Sequence, residues 1–234
     1  MRKISKSKLI PLTLRNASVP ASPDEVKESI YKADDVRDQL LEDQHYKCAY
    51  CESRITKEYN DVEHYRPKSV YYWLGHDWNN LLYSCDLCNR TYKKSYFPLK
   101  NETNRVTAPG RIDVEEPLII NPALEEPAIH IRFNRYMLVG VTDEGKNTID
   151  IFKLNDRAVL VYDRAQLYEL YIREKNKLEK MQKLLEFPAL TDELRDSIHE
   201  IILSSTKSIN QYKSIDTPYS GMLINQRECD SPWI

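Results

Sequence analysis

The sequence contains two Cys-x2-Cys pairs, Cys48-Ala49-Tyr50-Cys51 and Cys85-Asp86-Leu87-Cys88, with residues 52–84 between them. Two such pairs, each on a tight turn, can deliver four thiolates to one tetrahedral zinc ion. Cys229 is the cysteine left over. Because sulfur would fill all four coordination positions, we predict a structural zinc site with no position for a catalytic water.

The segment between the two pairs carries the residue types that phosphodiester hydrolysis needs. Asp61-Val62-Glu63-His64-Tyr65-Arg66-Pro67-Lys68 places a carboxylate beside an imidazole, and Asn89 directly follows the last cysteine. Histidine suits the task of a general base near neutral pH. Carboxylate and amide oxygens are the ligands that Mg²⁺ or Mn²⁺ prefers. Taken alone, His64 is more typical of a structural histidine than of a catalytic one.

One geometric question concerns which carboxylate faces the histidine. Neighbouring residues of a regular strand point to opposite faces, so Glu63 and His64 serve one site only if the strand ends or bends there. Asp61 lies on the same face as Glu63 and is the rival metal ligand.

These motifs, together with Trp78-Asn79-Asn80-Leu81, resemble those of the HNH endonucleases, a ββα-metal family. The resemblance implies that His64 is the general base and that Asn80 steadies the loop between two strands. It also implies that Glu63 and Asn89 bind the catalytic Mg²⁺ or Mn²⁺. Asn79 competes for the middle position, but Asn80 directly precedes Leu81, as the motif expects.

Three motifs together narrow the resemblance to the PtuB-type HNH proteins: Cys48-Ala49-Tyr50-Cys51-Glu52, Val62-Glu63-His64-Tyr65-Arg66-Pro67-Lys68 and the later Glu116-Pro117-Leu118-Ile119-Ile120-Asn121-Pro122. These belong to Septu anti-phage systems and to related retron-associated modules. The resemblance implies a nucleic-acid substrate, DNA first and RNA as the alternative, and a partner ATPase, PtuA, with an ABC/SMC-like fold. Two other hypotheses remain: a zinc-ribbon adaptor without catalytic activity, and a stand-alone restriction-type nuclease that needs no ATPase.

Basic residues flank the predicted site, and as a group we expect them to contact the phosphate backbone. The set is Arg66, Lys68, Arg90, Lys93 and Lys94. The net charge of -2 and the pI near 6.2 provide no overall basic field, so binding must rest on this local patch or on a partner. No apolar run follows the charged first residues, and none is long enough to span a membrane, so we expect a cytoplasmic protein.

Hydrophobic periodicity completes the predicted architecture. A helix is expected from a capping box at Ser22-Pro23-Asp24-Glu25 to about Gln44, and two hairpin strands at 129–133 and 136–141, followed by a turn at 143–146. Two further helices are expected at 156–185 and from Thr191 onward, before an irregular tail from Asp216. The predicted fold class is α+β, a ββα-metal HNH core held by a four-cysteine zinc site, with a small β-hairpin and a C-terminal helical segment. The predicted domains are 1–45, 46–100, 101–150 and 151–234.

Overall fold

The structure is a computed structural model that describes residues 1–226, and Cys229 lies outside them. The α-helices in this range are α1 (Leu12–Arg15), α2 (Glu28–Tyr31), α3 (Asp34–Asp43), α4 (Pro127–His130), α5 (Asp143–Ile151), α6 (Ala158–Leu185), α7 (Asp192–Lys213) and α8 (Ser220–Ile224). The strands are β1 (Asp61–His64), β2 (Leu81–Ser84), β3 (Ile131–Asn134) and β4 (Met137–Gly140). A π-helix spans Leu87–Lys93. The predicted α+β class is confirmed.

Strands β1 and β2 form an antiparallel hairpin at the centre of the first half of the chain. Asp61 pairs with Ser84 and His64 pairs with Leu81. All four β2 residues are buried, and the alternation of β1 is lost because its last three residues are buried as well. A hairpin of this size is not stable alone in water, so its stability depends on the packing of neighbouring elements.

The end of α3 holds the first cysteine turn against β2. The Gln44 side chain donates to the Tyr83 carbonyl at 2.6 Å and accepts from the Tyr83 amide at 2.7 Å, as a neighbouring strand would. The Ala49 amide donates to the same carbonyl at 3.1 Å. The first cysteine pair is therefore fixed beside the strand that leads into the second.

The helix predicted from Ser22 to Gln44 is wrong as a continuous element. It is divided into a 3₁₀ turn at Pro23–Glu25, α2 and α3, and the Ser22 side chain makes no capping hydrogen bond. The break has a tertiary cause. The Lys27 amide donates to His76 Nε2 at 3.2 Å instead of to a helical carbonyl, while Val26 packs against Gly75 so closely that a Cβ at Gly75 would clash with it.

The second hairpin, β3 and β4, is antiparallel as predicted, with Ile131 opposite Gly140. The turn predicted at 143–146 is wrong, because these residues form the first turn of α5. Thr142 Oγ1 accepts a hydrogen bond from the Gly145 amide at 3.3 Å, which caps the helix. The negative charges of Asp143 and Glu144 interact favourably with the positive end of the helix dipole.

The two long C-terminal helices, α6 and α7, pack along each other as a helical hairpin. Thr191 caps α7 through the Leu194 amide, as the sequence indicates. Arg195 donates to the Leu185 and Phe187 carbonyls and so satisfies groups at the end of α6. The tail predicted to be irregular contains α8 within the described residues. None of the helices in residues 1–226 is long and apolar enough to cross a bilayer.

Candidate active site

The four cysteines predicted to bind zinc converge into one cluster. Their sulfur atoms all lie within 4.8 Å of one another, and Cys51 Sγ is 3.7 Å from Cys85 Sγ. A tetrahedral zinc ion with Zn–S bonds of about 2.3 Å requires sulfur–sulfur distances of about 3.8 Å. The donor set and its spacing therefore fit a zinc ion with four thiolate ligands.

A positive group from the second half of the chain supports this cluster. Arg157 Nη1 donates to Cys88 Sγ at 3.5 Å, and its guanidinium lies 5.4 Å from the Tyr92 ring centroid. Four thiolates around one divalent ion carry net negative charge, which this arginine offsets. The spacing along the sequence carried no signal for this contact.

An open cleft of about 290 Å³ is lined by residues of β1 and of the π-helix, together with Glu28, Tyr31 and Lys32. Asp61, Glu63, His64 and Asn89 all border this cleft. Because β1 ends at His64, the imidazole is not held to the opposite face from Glu63 as it would be in a longer strand. The structure thus brings together the predicted base and every predicted candidate for the metal ligands.

The surroundings of His64 determine which nitrogen is free to act. Nε2 lies 3.0 Å from the Gly75 carbonyl oxygen, which can only accept, so Nε2 carries the proton and Nδ1 keeps its lone pair. The Tyr31 ring packs edge-on, with its centroid 4.6 Å from that of the imidazole. Burial lowers the pKa of His64 to about 4, so the side chain is neutral at pH 7.

Asn80 lies behind the loop that joins β1 to β2. Its Oδ1 accepts from the Arg66 amide at 2.8 Å, and its Nδ2 donates to the Arg66 and Leu74 carbonyls at 3.0 and 3.1 Å. The side chain is 4% exposed and does not border the cleft lined by His64. This geometry suits a residue that orders the loop rather than one that touches substrate.

The two candidate carboxylates of β1 differ in their surroundings. Glu63 is buried and pairs with Lys93 Nζ at 2.5 Å, and burial raises the pKa of its carboxyl group. Asp61 is partly exposed and pairs with Lys32 Nζ at 3.0 Å and Arg90 Nη2 at 2.9 Å. Burial acts to raise the pKa of Asp61, but the hydrogen bonds from Arg90 and Lys32 outweigh it and the net shift is downward.

Asn89 occupies the third position of the π-helix, directly after Cys88, and borders the cleft. Its Nδ2 lies 3.4 Å from the Val62 carbonyl of β1, so Oδ1 remains as an acceptor for another group. The wide turn is closed by the Lys94 amide, which donates to the Asn89 carbonyl at 2.8 Å. π-turns of this kind occur frequently at functional sites.

Of the five basic residues predicted to contact phosphate, three border the cleft: Lys68, Arg90 and Lys94. The other two do not reach it. Arg66 is buried in an ion pair with Glu115, on the far side of the loop, and Lys93 is fully buried against Glu63. Each of these two side chains has a partner inside the protein, and neither borders the cleft.

Comparison with known proteins agrees with this geometry. Residues 48–95 match the family model described as HNH endonuclease. This part of the chain is an HNH domain. It contains both cysteine pairs, β1, β2 and the π-helix.

Three curated relatives match more than half of the chain, and all three are Septu proteins. The chain is 38% identical to Septu protein PtuB of Bacillus mycoides (strain KBAB4) over 58% of its own length and 52% of that protein. It is 38% identical to Septu protein PtuB of Bacillus thuringiensis over 63% of its own length and 49% of that protein. It is also 29% identical to Septu protein PtuA of Bacillus mycoides (strain KBAB4), over 52% of its own length and 19% of that protein. The chain spans about half the length of the PtuB relatives.

Three residues of the HNH domain's surroundings were missed by sequence reasoning. Tyr31 packs on His64, Lys32 pairs with Asp61, and Gly75 supplies the carbonyl that fixes the imidazole. Tyr31 and Lys32 come from α2 and its end, outside the motif region, and the third contact is made by backbone. A single sequence carries no signal for contacts of this kind.

Proposed function

We propose that this chain is a metal-dependent HNH endonuclease that hydrolyses phosphodiester bonds of nucleic acid, DNA first and RNA as the alternative. The observation that carries the proposal is the orientation of His64. Its Nε2 is committed to the Gly75 carbonyl, and its neutral ring borders a cleft that also holds carboxylate and amide oxygens. His64 Nδ1 accepts the proton of the attacking water.

The oxygen donors of the cleft fit a hard divalent cation. Asn89 supplies an amide oxygen and β1 supplies a carboxylate, for which the HNH motif assigns Glu63 and Asp61 is the rival. When bound, such an ion offsets negative charge on the phosphate and on the leaving oxygen. Lys68, Arg90 and Lys94 hold the phosphate backbone at the rim of the same cleft.

The four-cysteine cluster binds zinc and has a structural role. Cys88 and Asn89 are consecutive, so a metal at the cluster fixes the π-helix that carries the cleft's amide ligand. Structural zinc typically provides about 10–16 kcal/mol of apparent binding free energy, which becomes folding free energy.

We assign the chain to a phage-defence complex in the cytoplasm, with a PtuA-like ATPase of ABC/SMC-like fold as its partner. The support is the similarity to two Septu PtuB proteins and to Septu PtuA. The net charge of -2 is consistent with targeting that the partner supplies, because a nuclease acting alone would need its own basic surface.

The test is a cleavage assay on duplex DNA, single-stranded DNA and RNA with Mg²⁺ or Mn²⁺, with and without the PtuA-like ATPase. We expect His64→Ala to keep its zinc and its fold but to lose about 10²- to 10⁴-fold in cleavage rate, the typical contribution of a general base. His199→Ala removes an exposed histidine of α7 and serves as the matched control, with wild-type cleavage expected.

Two outcomes contradict the proposal. If His64→Ala cuts as fast as wild type, His64 is not the base. If wild type turns over no substrate with any divalent ion, even beside the ATPase, the zinc-ribbon adaptor replaces the nuclease. Cleavage without any ATPase would instead favour the stand-alone enzyme.

A further inference from the structure

A second cavity, of about 380 Å³, is lined by the loop that follows β1. Tyr65 and Arg66 line it, whereas His64 and Pro67, on either side of them in the sequence, border the catalytic cleft. Among the described residues, the two hollows share no lining residue. The volume lies within the range of about 300–1,000 Å³ that is typical of binding pockets. The proposed cleavage chemistry gives this cavity no task.

The walls of the cavity are mainly apolar. Leu74, Ile112, Pro117 and Leu124 all line it, and Leu124 is 65% exposed. Pro117 and Asn121 belong to the motif at 116–122, for which the nuclease site has no use. Apolar surface that is open to water gains free energy when another apolar side chain covers it. The cavity therefore offers an anchoring point for an apolar group.

The charged groups of the cavity are mostly negative. Asp77, Asp113, Glu115 and Glu125 line it, against the single guanidinium of Arg66, which already pairs with Glu115. Such an excess of carboxylates repels the phosphates of a nucleic acid and attracts a cation. The cavity thus suits a basic side chain and not the substrate of the nuclease.

Two of these carboxylates can accept a new partner. Asp113 is paired with Arg111, whose side chain is 81% exposed and can return to solvent. Asp77 Oδ1 accepts from the Asn79 amide at 2.9 Å, and its Oδ2 can accept from another donor. A lysine or arginine that enters the cavity can therefore pair with Asp113 or Asp77 without breaking a buried ion pair.

An unsatisfied donor lies in the same cavity. Asn121 lines it and is 2% exposed, and within residues 1–226 its Nδ2 makes no hydrogen bond. Its Oδ1 is engaged, since it accepts from the Ala123 amide at 3.0 Å. A buried donor without an acceptor is unfavourable, and a carbonyl oxygen would satisfy it. Every peptide segment carries such carbonyls along its backbone.

We propose that this cavity is the docking site for a segment of the partner ATPase in which a lysine or arginine lies next to an apolar side chain. The basic group pairs with Asp113 or Asp77, and the apolar side chain covers Leu124. A backbone carbonyl of the segment accepts from Asn121 Nδ2. The inference rests on the proposed function for the identity of the partner. Because the cavity and the cleft are lined by different residues, the chain can bind the ATPase and nucleic acid together.

The experiment measures binding of the full chain to the purified PtuA-like ATPase by biolayer interferometry over a range of NaCl concentrations. The variants are Asp113→Lys and Leu124→Arg, both at exposed positions of the cavity, with zinc content and circular dichroism as checks of folding. Asp150→Lys and Leu203→Arg are the matched controls, because they make the same changes at exposed positions outside the cavity.

We expect Asp113→Lys to lower the association rate constant by about 10-fold at low salt, since charge steering changes such rates by about 10- to 10³-fold. Association of wild type should slow as salt rises, and Asp113→Lys should flatten that dependence. Leu124→Arg should raise the Kd by at least about 10-fold, mainly through faster dissociation. Both controls should match wild type. In a second measurement, hydrogen–deuterium exchange of residues 112–125 should slow when the ATPase is bound.

The inference is overturned if either cavity variant binds the ATPase as wild type does, or if Leu203→Arg weakens binding as much as Leu124→Arg. Slowed exchange of residues 112–125 that depends on the concentration of the chain alone would assign the cavity to a second copy and contradict the inference. A folded wild type that does not bind the ATPase rejects the partner of the proposed function, and the inference with it. Tight binding by wild type that the cavity variants do not weaken rejects the inference alone.

Discussion

Cys88 and Asn89 are neighbours in the chain, yet they serve two regions with opposite properties. Cys88 is fully buried among three other thiols and an arginine, whereas Asn89 borders an open cleft with partly exposed charges. A site with four protein ligands leaves no position for substrate, and one with few ligands leaves several. The closed four-sulfur cluster therefore suits a structural metal, whereas the open cleft leaves room for a substrate.

The largest effect is expected in the closed region. Cys88→Ser removes a zinc ligand. The apparent binding free energy of structural zinc, about 10–16 kcal/mol, becomes folding free energy, so the HNH domain should lose its cooperative thermal transition. Zinc content and differential scanning calorimetry test this. Cys229→Ser is the control, with one zinc per chain and wild-type melting expected. A Cys88→Ser variant that melts as wild type would show that the cluster does not stabilise the fold.

The next largest effect is expected at Arg66, a buried arginine that does not border the cleft. Arg66 pairs with Glu115 and lies over the Tyr71 and Phe97 rings at 5.1 and 5.0 Å. Arg66→Ala should lower the free energy of unfolding by about 3–5 kcal/mol, since it leaves Glu115 buried without its partner. Urea denaturation measures the change, and Arg111→Ala, in an exposed ion pair, should leave the midpoint unchanged. If Arg66→Ala is as stable as wild type but binds nucleic acid more weakly, Arg66 contacts phosphate as the sequence predicts.

The smallest effect concerns the rim of the cleft. Lys94 is exposed and borders the cleft, so Lys94→Ala should leave the fold intact and reduce the slope of log affinity against log salt by about 0.7–0.9, the contribution of one phosphate contact. Fluorescence anisotropy over a range of salt concentrations gives the slope. Lys100→Ala, which loses an exposed lysine outside the cleft, is the control. Equal slopes for the two variants would place the nucleic acid elsewhere.

The sequence was most informative where chemistry depends on spacing alone. Two Cys-x2-Cys pairs predict a four-sulfur cluster, and the cluster is present. The motifs also identified His64 and Asn89, which border one cleft in the structure, and Asn80, whose side chain accepts a hydrogen bond from the loop between β1 and β2. In these cases, short-range geometry and a family pattern carry the information.

It was least informative where a contact crosses the fold. Lys93 and Lys94 are adjacent and equally charged, yet the π-turn buries one and exposes the other. The helix expected after Ser22 breaks because His76 takes the Lys27 amide. The start of α5 is a different case, since Thr142 followed by two acidic residues is a helix-capping signal that the sequence does contain.

The most direct test of the comparison is to exchange wild-type protein by gel filtration into buffer without divalent cations, which removes weakly held ions but leaves structural zinc, and then to measure zinc content and cleavage on the same sample, with the PtuA-like ATPase present. We expect that one zinc per chain is retained, that cleavage is lost, and that Mg²⁺ or Mn²⁺ restores it. Cleavage that persists in the zinc-only protein, or that disappears and returns together with the zinc, would contradict two separate metal regions.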